Sequence, residues 1–297
     1  MSVLEINNIS KSYGQIKALN GVSFKVPQGS VFGLLGPNGS GKTTMLSIIL
    51  DVLQSDGGSY KWFGEEPSHV HRKKIGSLLE TPNLYHYLTA VQNLRITKSI
   101  SGRGSEAQIN EVLQKVNLHE RKNSRFTTYS LGMKQRLAIA AALLGGPSVL
   151  VLDEPTNGLD PVGIAEIRDL IRSLAKEGHT IIMASHLLDE VEKVCDHVAI
   201  LKRGKLIAHG SVENVLSDED CYLLNALDID KLKNVISTFP GLLRLSETIE
   251  GVECYFNKGE VFSFAINEFC FNHGIILSQL ANKKKRLEEK FFELTND

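Results

Sequence analysis

Apolar and polar positions alternate over Val3–Ile9 and again over Val22–Val26, the period of strands with one buried face. Pro27-Gln28-Gly29 reads as a turn into Val31–Leu35, a short continuous apolar run. Such a run suits a strand buried on both faces, as in a parallel sheet with helices on each side. A glycine-rich turn over Gly36–Gly41 follows, and Thr43–Leu53 then shows helical spacing. Residues 88–144 change character: Thr89–Ser99, Ser105–Val116 and Gly132–Leu144 read as helices, with no convincing strand between them. From 148 the alternation of strand and helix returns. Val149–Leu152, Thr180–Ala184 and Val198–Lys202 read as strands, separated by helices over Val162–Lys176 and Leu187–Val194. The last of these strands turns at Arg203-Gly204 into Lys205–Ala208.

A polar stretch near 211–221 marks a domain boundary, and the tail beyond it has its own rhythm. Tyr222–Leu227 is a strand, Ile229–Phe239 a helix, Leu242–Thr248 and Val252–Asn257 strands, Val261–Asn272 a helix and Ile275–Leu280 a strand. That β-α-β-β-α-β order is the ferredoxin-like pattern. A charged helix, Lys283–Leu294, closes the chain, with Leu287, Phe291 and Leu294 facing inward and the basic run 283–286 in solvent.

The 297 residues suggest two domains at the usual domain size. Lys and Arg total 33 against 34 Asp and Glu, which argues against a nucleic-acid-coating protein. The longest apolar stretch, Leu137–Leu144, falls well short of the roughly 18–20 residues of a membrane helix, so the chain is expected not to span a bilayer itself. Four scattered cysteines, with no CxxC pair, argue against a disulfide framework or zinc ribbon and point to a reducing compartment. MSVLEINNIS lacks a basic segment followed by an apolar one, so a secretion signal is not expected. His69 and His71 form an HxH, but in a polar segment without a further metal-type partner, so they are read as a solvated face.

Two segments carry chemistry. Gly36-Pro37-Asn38-Gly39-Ser40-Gly41-Lys42-Thr43-Thr44 matches GxxxxGK[ST] between an expected strand and an expected helix. Glycines there let backbone N–H groups turn inward around phosphate oxygens, and the positive end of the helix adds to the same point. Lys42 would reach the β- and γ-phosphates, and the Thr43 hydroxyl would ligate Mg²⁺. The second segment is Val149-Leu150-Val151-Leu152-Asp153-Glu154, four apolar residues ending in two carboxylates. At the C-terminal end of a strand in an open α/β sheet, Asp153 would hold the Mg²⁺ shell and Glu154 would polarise a water for attack on the γ-phosphate.

Between these segments lies Tyr129-Ser130-Leu131-Gly132-Met133-Lys134-Gln135-Arg136. Together with Asp153-Glu154-Pro155, Gly158-Leu159-Asp160-Pro161 and Ala184-Ser185-His186, it makes the chain resemble the nucleotide-binding subunit of an ATP-binding cassette (ABC) transporter over residues 1 to about 215. The resemblance implies an α/β, RecA-like P-loop NTPase core (1–215) with a helical signature subdomain (about 88–144), and the ferredoxin-like tail is expected to form a small α+β C-terminal accessory domain (216–297). It also implies a head-to-tail dimer in which each signature completes the other copy's ATP site. On that basis Ser130 and Gly132 would hold a γ-phosphate on the opposite subunit and Asp160 would communicate across the interface. His186 would contact the γ-phosphate and help position the water, and Tyr13 would stack on adenine.

The signature departs from the usual LSGGQ by Tyr129, Leu131 and Met133, a form similar to that of ABC-2-type exporters. Leu131 stands where the family has a glycine. After Ile75–Leu79, where the family usually carries glutamine, this chain has Glu80, which could ligate Mg²⁺ or orient a water but cannot donate an N–H bond. With Tyr85, Tyr87, Asn93 and Leu94, that region is similar to cassettes of bacitracin and lantibiotic self-protection. The resemblance therefore implies an ATPase that drives a separate membrane permease, with export as its direction and a place on the inner face of the cell membrane. A soluble ABC ATPase acting on the ribosome or DNA, and an ATP sensor without turnover, are the alternatives.

Overall fold

The computed structural model describes residues 1–79, 83–216 and 219–283, together with Leu287 and Phe291. The chain divides into two compact units, Met1–Val212 and Glu213–Asp297.

In the first unit β1 (Ser2–Tyr13) and β2 (Ile16–Pro27) pair antiparallel, and β4 (Gly57–Trp62) joins β1 on its other edge. The alternating positions of β1 and β2 put Leu4, Ile6, Ile9, Leu19, Val22 and Phe24 into a core that also holds β3 (Val31–Leu35) and α1 (Lys42–Ile49). β3 is buried at every position. It lies inside a six-stranded sheet with β5 (Ile75–Leu78), β6 (Val149–Asp153), β7 (Thr180–Ser185), β8 (His197–Lys202) and β9 (Lys205–Ser211), in the order β5-β6-β7-β3-β8-β9. All neighbours are parallel except β8 and β9, which form a hairpin. A short helix, α2 (His69–Arg72), precedes β5.

The helical segment comprises α3 (Ala90–Ser101), α4 (Glu106–Lys115) and α5 (Leu131–Leu143). Each begins at a polar cap: Thr89 in a reciprocal capping box with Gln92, Ser105 accepting from Gln108 N–H, and Ser130 accepting from Met133 N–H. Because Ser130 is the cap, α5 begins at Leu131 rather than at the expected Gly132. The long connection from β6 to β7 holds α6 (Pro161–Lys176), capped by Asp160 with Pro161 at its first position, and α7 (Leu188–Val194) links β7 to β8.

One expectation is corrected here. His71 is not a solvated residue: it is buried, with Nε2 3.1 Å from Glu65 Oε2, Nδ1 3.1 Å from Ser68 Oγ and its ring against Phe63. The first turn of α2 turns it inward, while His69 stays exposed. The described residues hold no group of His, Cys, Asp and Glu arranged for a metal ion.

The second unit opens with the end of α8 (Val212–Leu216), then β10 (Glu219–Ala226), α9 (Ile229–Ile236), β11 (Leu242–Thr248), β12 (Gly251–Asn257), α10 (Ser263–Asn272) and β13 (Leu277–Lys283). The β-α-β-β-α-β order is present, and the antiparallel sheet runs β11-β12-β10-β13. One sheet face packs Tyr222, Leu224, Cys254 and Phe256 against Leu232, Ile236, Ile266 and Cys270 of the two helices. Of the expected terminal helix, Leu287 is fully buried, while Leu294 and the basic residues 284–286 lie outside the described residues.

Candidate functional site

Strand register assembles the site. Leu35 of β3 pairs with Ser185 of β7, and Asp153 of β6 pairs with Ala184. The C-terminal ends of three neighbouring parallel strands are therefore level, and each delivers functional residues at its exit: the glycine-rich turn after β3, Asp153 and Glu154 from β6, and His186 from β7. Ligands of open α/β sheets bind at that end.

The turn after β3 is shaped by its glycines. Gly36, Gly39 and Gly41 all have positive φ. A Cβ at Gly36 would stand 2.3 Å from Leu201 O, and one at Gly41 would stand 2.4 Å from Ala18 O, so backbone crowds both sites. At Gly39 a Cβ would meet nothing, and Asn38 and Gly39 are exposed. The turn is braced from below by Gly204 N–H to Ser40 O (3.0 Å) and Asn20 N–H to Gly204 O (2.8 Å). Gly41 caps α1 with no side chain to accept its first-turn N–H groups, which fits an anion arriving from outside. The Ser40 Oγ is buried and has no hydrogen-bond partner among the described residues. Thr44 follows in the first turn of α1.

Five side chains converge at this turn. Lys42 is buried, its Nζ 2.8 Å from Gly36 O and 3.4 Å from Glu154 Oε1. A buried ammonium needs such partners, and here two of them come from the loop and the strand end it must serve. Glu154 Oε2 is 2.8 Å from His186 Nδ1, so one carboxylate bridges lysine and histidine. Thr43 Oγ1 donates to Asp153 Oδ2 at 2.8 Å, although the two lie 110 positions apart. Glu154 has φ +47°, a left-handed conformation that costs a non-glycine residue about 1–3 kcal/mol. Its N–H still extends the sheet ladder to Ala184 O (3.0 Å), and its own O accepts from Asn157 N–H (3.1 Å). The carboxylate is thus aimed by a backbone pinned on both sides.

This donor set fits Mg²⁺ and a triphosphate: a hydroxyl joined to a carboxylate, a lysine at the mouth of a glycine cradle, and a helix start without its own cap. A second group forms where α5 and α6 begin. Ser130 and Asp160 are exposed and each caps its own helix, while Gly132 and Gly163 let the two helix starts approach. Tyr13 lies half-exposed at the end of β1, available to stack on a planar ligand. Glu80 lies outside the described residues. Asn93 acts one layer out. Fully buried, it accepts from Tyr85 N–H and donates to Tyr85 O and Thr89 O, and so fixes the loop before α3.

Comparisons with known proteins agree on a family. The ABC transporter family pattern matches residues 19–157. The chain is 34% identical to the bacitracin transport ATP-binding protein BcrA of Enterococcus faecalis, over 98% of this chain and 96% of that protein. It is 43% identical to the lantibiotic transport ATP-binding protein SrtF of Streptococcus pyogenes, over 69% of this chain and 89% of that one. Among solved structures, an ATP-binding subunit of an ABC transporter superposes with a TM-score of 0.64 at 30% identity, covering 72% of this chain and 92% of that chain. A dimeric cassette in a post-hydrolysis state, bound to ADP and Pi, superposes with a TM-score of 0.63 at 27% identity, covering 70% and 98%.

Proposed function

The chain belongs to the ATP-binding subunits of ABC transporters, and we propose that two copies of it hydrolyse ATP to drive a separate membrane permease that exports a peptide antibiotic or similar compound. The observation that carries the reading is the convergence of Lys42, Thr43, Asp153, Glu154 and His186 at the level ends of β3, β6 and β7. The names of the two relatives, bacitracin and lantibiotic transport, support the cargo class. No helix among the described residues is long and apolar enough to cross a membrane, which fits a subunit held on the inner face of the membrane by its permease.

In this reading the N–H groups of the Gly36–Thr44 turn and the Lys42 ammonium bind the β- and γ-phosphates of ATP. Thr43 and Asp153 hold Mg²⁺, which supplies charge neutralisation on the phosphate oxygens. Glu154 accepts a proton from water as its oxygen bonds the γ-phosphorus and the bond to the bridging oxygen of ADP breaks. His186, already hydrogen-bonded to Glu154, holds that carboxylate in line and contacts the γ-phosphate. Tyr13 stacks on adenine. Ser130, Gly132 and Asp160 of one copy face the nucleotide of the other, so that closure of a head-to-tail dimer completes each site.

Phosphate release by the purified chain with ATP and Mg²⁺ tests this. Lys42→Ala is expected to abolish ATP binding, and Glu154→Gln to slow hydrolysis by about 10²–10⁴-fold while leaving a dimer that retains ATP. A Glu154→Gln protein that turned over at the wild-type rate would falsify the assignment.

A further inference from the structure

We infer that Leu131 is a positioning residue that ties the turn carrying Glu154 to the start of the signature helix. The hydrolytic geometry of one ATP site and the residues offered to the other are thereby set together. The inference rests on the ATPase reading above for its functional consequence, and on the contacts below for its mechanics.

Leu131 is the first residue of α5, directly after the Ser130 cap, and it is 49% exposed. On its covered side, Cδ2 lies 3.3 Å from where a Cβ on residue 158 would stand. Gly158 has φ +74°, so this position both requires glycine and leaves the hollow that the leucine methyl fills. Contact between the two segments continues along α5 and α6. A Cβ at Gly132 would be 3.9 Å from Gly163 Cα, and one helical turn on from Gly132, Arg136 Nη2 stands 3.5 Å from Glu166 Oε2. These three approaches lie along one seam between α5 and the segment from Gly158 to Glu166.

The first of them falls directly on the turn that begins at Glu154. Asn157 N–H bonds Glu154 O at 3.1 Å, Leu159 N–H bonds Thr156 O at 3.3 Å, and Asp160 caps α6 through Gly163 N–H at 2.8 Å. Gly158 sits between these bonds, under Leu131. The Arg136–Glu166 pair is distant from Glu154 along α6 and half open to water on the glutamate side, where an ion pair fixes little. The strained Glu154 backbone thus depends on a turn whose lid is the leucine that replaces the family's glycine. A displacement of that turn moves Leu131, and with it Ser130 and Gly132.

Hydrogen exchange and steady-state kinetics on the full chain test this. In the nucleotide-free protein, Leu131→Ala is expected to speed amide exchange over residues 156–160 by about tenfold, while exchange in β6 and β7 stays as in the wild type. Its kcat for ATP is expected to fall by about tenfold with KM within about twofold, the pattern of an interaction needed for the chemical step. Leu131→Met should restore both. Unchanged exchange over 156–160, an unchanged kcat, or a raised KM with kcat kept would overturn the inference, the last by placing Leu131 on nucleotide. Exchange needs no turnover, so a chain that failed to hydrolyse ATP would remove the ATPase reading while exchange still decided the contact.

Discussion

His71 and His186 show how little a residue type determines by itself. His186 leaves β7 beside the end of β6, where Glu154 accepts it at 2.8 Å, whereas His71 is turned inward by α2 and is held between Glu65 and Ser68. Glu253 makes the same point for a carboxylate in the second unit. It is buried, which pushes its pKa up, yet hydrogen bonds from Lys283 (2.6 Å) and Tyr255 (2.6 Å) outweigh burial and hold it below the usual value. A carboxylate whose folded pKa is depressed stabilises the fold fully above its unfolded pKa of about 4.3, and that contribution is lost as pH falls through the folded value. Resistance of the second unit to urea should therefore fall as pH drops below about 4. Glu253→Gln should flatten that dependence and lower stability at neutral pH, as read from the urea midpoint at a series of pH values.

At the scale of elements, periodicity located the helices over 88–144 and the buried strands, because each is a local interval pattern. It did not isolate β4, whose Gly57-Gly58 start reads as a turn, and it shortened β1 and β2, which continue into the exposed hairpin end. Packing between elements was illegible. Gly76 in β5 looks like one more member of an apolar run, yet a Cβ there would stand 2.1 Å from Ala142 O of α5. The glycine is the clearance that lets helix backbone lie on the strand. Gly76→Ala should destabilise the first unit by about 1–3 kcal/mol, as overpacking does. Exposed Ser77→Ala should stay within about 0.5 kcal/mol. Denaturant midpoints of the two variants distinguish clearance from strand propensity.

Among the described residues, each unit has a hydrophobic core of its own. Its four free cysteines report on both: Cys195 is buried in the first unit, and Cys221, Cys254 and Cys270 in the second. Burial pushes all four thiols up, Cys221 to about 11, so few thiolates exist at neutral pH. The native chain should resist alkylation. Along a urea gradient the thiols should become reactive in two groups, one and three, as the units unfold independently. Release of all four at one midpoint would show a single cooperative fold.

The candidate site was legible to an unusual degree because its chemistry is carried by contiguous runs. A phosphate cradle is a stretch of nine residues, and a strand ending in two carboxylates is a stretch of six. Periodicity, caps and such runs are local, and the sequence by itself determined them. Strand order is not local. Only the tertiary structure placed β6 and β7 beside β3 in matching register, joined Thr43 to Asp153, bridged Lys42 and His186 through Glu154, and laid Leu131 over Gly158. Those contacts follow from parallel pairing and close packing between segments far apart in the chain, where the deciding quantity is a distance that no interval along the sequence records.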